Sequence, residues 1–155
     1  MTSAFDPAAF LNATIDTQDE KRDPLPTMNP EDPNGLYTAI IGSVDAKGGE
    51  KDGKPWLQMV VPLRIQVPAA LQAQIGRPEV TITDRAFIDL TESGAIDNGK
   101  GRNARRRMYR EATGQNAPGQ AWAPRMLEGR PVKVQIKHEM YNDAVQERVG
   151  NLFPA

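Results

Sequence analysis

The chain contains no cysteine and a single histidine, His138. Without cysteine there are no disulfides, thiolate metal sites or thiol nucleophiles. One histidine cannot supply a histidine-based metal centre, and the Ser-His-Asp arrangement finds no matching partners. Long apolar runs are missing too. No stretch approaches the roughly 20 residues that a membrane-spanning helix needs. The N-terminus shows no charged region followed by an apolar one, so a secretory leader is not expected. Net charge is nearly absent, at −1, with 19 Lys and Arg against 20 Asp and Glu. Aromatic residues are scarce at 6%. Proline and glycine are plentiful, 13 of each in 155 residues. That composition predicts a soluble, intracellular domain of short elements and many turns, with β structure favoured over helix.

The small net charge conceals an uneven distribution. Residues 1–34 hold seven acids and two bases, a balance of −5, whereas residues 100–137 hold ten bases and two acids, a balance of +8. The densest part, K-G-R-N-A-R-R-R-M-Y-R, places Lys100, Arg102, Arg105, Arg106, Arg107 and Arg110 within eleven residues. A cluster of like charge is either a solvated face or a surface that an anion neutralises. An acidic arm and a basic body suit binding to a polyanion, or association between the two ends of neighbouring copies.

The arm, residues 1–34, includes D-P-L-P-T-M-N-P-E-D-P-N-G, whose prolines remove donors and fix φ. An irregular segment is expected, packed loosely or partly disordered, with Phe5, Phe10, Leu11 and Ile15 as its possible anchors. Residues 35–155 form the predicted domain. L-Y-T-A-I-I-G-S-V (36–44) is β-prone, and the following D-A-K-G-G-E-K-D-G-K reads as a loop carrying Lys47, Lys51 and Lys54. A second strand, 56–65, alternates Leu57, Met59, Val61, Leu63 and Ile65 against Trp56, Gln58, Val60, Pro62 and Arg64. A third, about 79–91, turns Ala86, Ile88 and Leu90 inward and Arg85, Phe87 and Asp89 outward. Asn103 is a plausible helix N-cap and Gly114 a stop, with Ala104, Met108 and Ala112 as the buried stripe of the helix between them. P-V-K-V-Q-I-K-H then alternates Val132, Val134 and Ile136 against Lys133, Gln135 and Lys137. A loop from Tyr141 to Asp143 leads to a last short strand at 145–149.

This β-β-β-α-β-β order is the connectivity of a mainly β, five-stranded OB-fold barrel with one helix between strands 3 and 4. Such folds bind oligonucleotides or oligosaccharides on strands two and three and at the loops joining one to two and four to five. The outward residues Trp56, Arg64, Arg85 and Phe87 combine π-faces for bases with positive charge for phosphates. Each has a plainer reading as well. A tryptophan at a strand end can be packing, Tyr109 can be core edge, and Trp122 can close the barrel end. The three consecutive arginines cannot all face one ligand strand, because successive helical side chains lie about 100° apart. Asp84, Asp89, Glu92 and Asp97 read as solvated turn acids, since no second carboxylate cluster completes a two-metal site. G-K-G-R at 99–102 lacks the spacing and Ser/Thr of a phosphate-binding P-loop. No catalytic constellation emerges.

The G-L-Y start at 35–37, K-P-W-L-Q at 54–58, A-T-G at 112–114 and L-E-G-R-P-V-K-V at 127–134 resemble bacteriophage single-stranded DNA-binding proteins of the OB-fold type. The likeness covers about residues 35–150. It implies sequence-independent coating of single-stranded DNA in phage replication and recombination, in the cytoplasm of an infected bacterium. No catalysis and no cofactor are implied, and the partners would be phage replication or recombination proteins. The chain departs from that pattern in ending N-L-F-P-A instead of in acidic residues. The expected nucleic-acid contacts are Lys47, Lys51, Lys54, Trp56, Arg64, Arg85, Phe87, Lys100, Arg102, Arg105, Arg106, Arg107, Arg110, Lys133, Lys137 and Tyr141. Two other readings fit the same residues: a non-enzymatic virion structural or adaptor protein, and an RNA-binding OB module.

Overall fold

The computed structural model describes residues 6–155. Six strands and three short helices follow one another as α1 (Pro7–Phe10), β1 (Tyr37–Ile41), β2 (Asp45–Lys51), β3 (Lys54–Gln66), α2 (Ala69–Ile75), β4 (Glu79–Ile88), α3 (Ala104–Ala112), β5 (Pro131–Tyr141) and β6 (Ala144–Pro154), with a 3₁₀ turn at Pro124–Leu127. The protein is mainly β, one antiparallel sheet of six strands.

Thirteen-residue β3 organises the sheet. One edge pairs with β4 over its last ten residues, and the other takes β2 along Lys54–Val60 and β1 along Leu63–Ile65. β1 and β2 are thus two halves of one strand, broken at 42–44. There Ser43 is skipped, Gly42 donates to the Pro62 carbonyl, and the Val44 amide turns to the Glu128 carboxylate at 2.7 Å. β1 also pairs with β5, and β5 with β6. Read across, the order is β4, β3, β1 with β2, β5, β6. No ladder joins β4 to β6 among the described residues, so the sheet is open.

Several expectations need correction. The anticipated loop after the first strand is strand β2, and only Asp52 and Gly53 turn the chain. Their φ values of 54° and 76° are those of the two central residues of a type I′ turn, which matches the twist of the flanking strands. β2 escaped notice because all seven of its residues are exposed, so no apolar alternation marks it. The third strand stops at Ile88 instead of continuing to 91, and the last strand is eleven residues long rather than five. Helix α2 was not anticipated. Its signals were present: Pro68 before it, Leu71 and Ile75 one turn apart and buried, and Gly76 after it at φ 79°.

In α3 the expected stripe holds at Met108 and Ala112 but not at Ala104, and Tyr109 joins it. Tyr109 and Ala112 are buried, Met108 is partly so, and Ala104 is exposed. Asn103 does not cap the helix with its side chain. It is buried in a left-handed conformation, accepts the Asp89 amide at 2.8 Å and donates to the Asp97 carbonyl at 2.7 Å. It therefore ties the loop after β4 to the start of α3.

The core lies between the inner faces of the strands, where Met59, Val61, Leu63, Ile65, Val80, Ala86, Val132, Val134 and Ile136 meet as alternation predicts. The arm contributes to it through a residue that was not foreseen. Leu25 is fully buried, whereas Phe10, Leu11 and Ile15 are 60–80% exposed. Phe5 lies outside the described residues. Glu147 accepts the Leu25 amide at 2.7 Å and pairs with Arg22, and Tyr37 donates to the Pro26 carbonyl at 2.7 Å. Burial, and then the charge of Glu147, push the Tyr37 phenol up to about 12. Farther along, Asp32 accepts two backbone amides and pairs with Lys133, while Glu31 accepts the Ala70 amide at the start of α2. From Arg22 onward the arm is therefore fastened to the body.

Candidate nucleic-acid interface

Residues directly opposite one another in an antiparallel ladder share a face. The β2–β3 ladder sets Lys51 against Lys54, Gly49 against Trp56 and Lys47 against Gln58. The β3–β4 ladder sets Gln58 against Phe87, Val60 against Arg85 and Arg64 against Thr81. Seven of the sixteen expected residues (Lys47, Lys51, Lys54, Trp56, Arg64, Arg85 and Phe87) therefore lie on one outer face of β2, β3 and β4.

The aromatic pair forms the middle of this face. The Trp56 and Phe87 rings meet edge to face, with centroids 6.4 Å apart and planes at 69°. On its other side the indole rests on Gly49, where an added Cβ would sit 3.2–3.3 Å from the ring. Glycine in this strand lets the ring lie close to the backbone. Phe87 remains 63% exposed even so. A groove of about 470 Å³ runs over the pair, lined also by Lys51, Lys54 and Gln58 and by one acid, Asp52. The groove offers a flat apolar surface with positive charge at its rim, the two elements a base and its phosphate require. Gly49 and Gln58 were not among the expected contacts. A glycine facing a tryptophan across a hairpin was the available signal, and it depended on recognising β2.

The basic segment is arranged differently from the sheet face. Arg105 donates through Nε to Asp84 at 2.9 Å and through Nη2 to the Val149 and Gly150 carbonyls of β6. Asp84 also accepts the Tyr109 hydroxyl at 2.6 Å, and burial followed by this carboxylate raises the Tyr109 pKa. Arg102 pairs with Asp89 and Asp97, at 3.5 and 3.2 Å. Asp84, Asp89 and Asp97 are thus partners of the arginines and not solvated turn acids. Arg110 donates to the carbonyls of Gln115 and Gln120 and lies 5.1 Å from the centroid of Trp122, whose indole N–H donates to Gln115. Trp122 packs on the edge of the core. Arg106 is partly buried and donates to Asn98, whereas Arg107 and Glu111 face each other at 3.8 Å with both side chains well exposed. Lys100 is exposed in the loop before the helix.

The remaining candidates stand on β5, away from the groove. Lys133 is 3.4 Å from Asp32, Lys137 is exposed, and Tyr141 is 60% exposed at the hairpin end. Among the described residues no group of three or more His, Asp or Glu is placed to hold a metal ion, and no helix is long and apolar enough to cross a membrane. No known protein family and no curated protein matches the chain.

Proposed function

We propose that the outer face of β2, β3 and β4 binds single-stranded DNA without regard to sequence, as a non-catalytic coat. The observation that carries this reading is the convergence of Trp56, Phe87 and five cations on one face. The strand order supports it. Counting β1 and β2 as one broken strand, with α3 between β4 and β5, gives the connectivity of an OB-fold barrel, whose second and third strands are the usual ligand face. The resemblance to phage single-stranded DNA-binding proteins supports the same ligand. It also suggests a role in phage replication or recombination in the host cytoplasm, beside other proteins of that module.

The test is a titration with oligo-dT at several salt concentrations. Binding is expected to weaken steeply with salt, since each phosphate neutralised on a single strand releases about 0.7 of a counterion. Replacing Lys47, Lys51 and Lys54 together by Ala is expected to flatten the slope by about two units if all three touch phosphate. Replacing Arg107 alone is expected to change it by less than one. Matched DNA and RNA oligomers in competition separate the DNA reading from an RNA-binding one. Absence of binding at low salt overturns both.

A further inference from the structure

A cavity of about 650 Å³ opens on the opposite face of the same hairpin, between β2, β3 and the 122–125 segment. Its walls are mainly apolar, with Met59, Ile88, Ile96 and Trp122 contributing; of the charged residues lining it, Arg106 and Arg125 outnumber the one acid, Asp45. A cavity of this size and lining is typical of a binding site. Arg106 is half buried and makes no ion pair among the described residues; its contact is the Asn98 carboxamide at 2.9 Å. Burial, and then the neighbouring Arg110, lower its pKa against the opposing charge of Asp89. Arg125 is 78% exposed, with a 3.3 Å contact to Glu128.

The complementary chemistry lies in the same chain. Residues 6–20 are exposed throughout. Phe10, Leu11 and Ile15 are 67, 80 and 60% exposed, and Asp6, Asp16, Asp19 and Glu20 accompany them. No residue of this segment lines the cavity. Three neighbouring apolar side chains in water are a liability that burial would remove.

We propose that this cavity receives the Phe10–Ile15 segment of a second copy of the chain. The apolar side chains enter against Met59, Ile88 and Trp122, and the carboxylates of Asp16 and Asp19 approach Arg106 and Arg125. Two different patches meet, so the contact is heterologous and joins copies head to tail. Leu57 and Met59 point away from the face that carries Trp56, and the cavity shares only Gln58 with the groove, so the assembly leaves the aromatic pair uncovered. The proposal therefore stands or falls independently of DNA binding.

Full-length protein is examined by light scattering on a sizing column, and two variants are compared: Phe10→Ala/Leu11→Ala/Ile15→Ala, which lacks the arm's apolar residues, and Arg106→Glu, which reverses the pocket's charge. The wild type is expected to show a mass that rises with concentration and falls with salt, and each variant alone a monomer. Mixing the two is expected to restore a dimer, because one retains a pocket and the other an arm. A wild type that stays monomeric at every concentration overturns the proposal, and so does an arm variant that still associates. A mixture that stays monomeric also overturns it, since the arm would then act within its own molecule or elsewhere. Thermal melts verify folding, and should Arg106→Glu fail to fold, Arg125→Glu on the exposed rim replaces it.

Discussion

Arg105 illustrates how one side chain can belong to a conspicuous motif and be occupied elsewhere. Its guanidinium spans from α3 to Asp84 on β4 and to two carbonyls of β6, and Tyr109 shares the same carboxylate. Hydrogen bonds to charged groups contribute roughly 1.5–3 kcal/mol each. Arg105→Ala is therefore expected to lower the unfolding free energy by about 2–3 kcal/mol in urea denaturation, and to leave oligonucleotide affinity unchanged at a temperature where the variant is folded. A phosphate-binding Arg105 would give the reverse, unchanged stability with weakened binding. The richest run of charge was legible in the sequence, but its use was not. Asp84, Asp89 and Asp97 lie outside the window that gave +8, and folding brings two of them to Arg102 and one to Arg105. A sum along the chain cannot register neutralisation across it. Lys47, Lys51 and Lys54 are sparser in sequence yet make no ion pair among the described residues.

At the scale of elements, strands with one buried face were readable and the others were not. β3 and the first half of β5 alternate as expected, because one face of each meets the core and the pattern of apolar residues records it. β2 projects from the body, buries nothing and consequently carries no such record. α2 is only seven residues long and needs two buried side chains, too few for a period to stand out. The aromatic pair could be assigned to the outer face by alternation alone, whereas its contact with Gly49 required the hairpin. Trp56→Ala and Phe87→Ala are each expected to weaken oligo-dT binding by about 1–3 kcal/mol, the range for a stacked base. Little stability should be lost, since Phe87 is mostly solvent-exposed and Trp56 packs on an exposed hairpin. Indole fluorescence should quench on adding oligo-dT, with Trp122→Phe as the background that isolates Trp56. Early melting with normal affinity at low temperature would show that the pair serves packing instead.

For the whole molecule the decisive feature is the unjoined seam between β4 and β6. A sheet that ends in two unpaired edges must cover them or risk pairing with other chains. The returning arm lies at this seam. Lys21 and Arg22 border a groove shared by Thr81–Thr83 of β4 and Ala144–Glu147 of β6, and Glu147 ties Arg22 and the Leu25 amide together. His138 of β5 donates to the Leu25 carbonyl at 2.6 Å, so the arm is held from two strands. The residues before it follow another rule, being exposed from position 6 to position 20. Acids occur in both parts and four prolines follow in the second, Pro24, Pro26, Pro30 and Pro33, which is why the sequence suggested a single loose arm. One leucine, fully buried between two prolines of the chain, separates them. Leu25→Ala is accordingly expected to cost about 2–5 kcal/mol in chemical denaturation, the range for a buried leucine truncated in a packed core. Phe10→Ala should cost close to nothing in the monomer. Hydrogen exchange should report the loss locally, with faster exchange of amides in β4 and β6. A Leu25→Ala protein as stable as the wild type would mean that the seam holds without the arm, and that residues 21–34 are an attachment to the fold instead of a part of it.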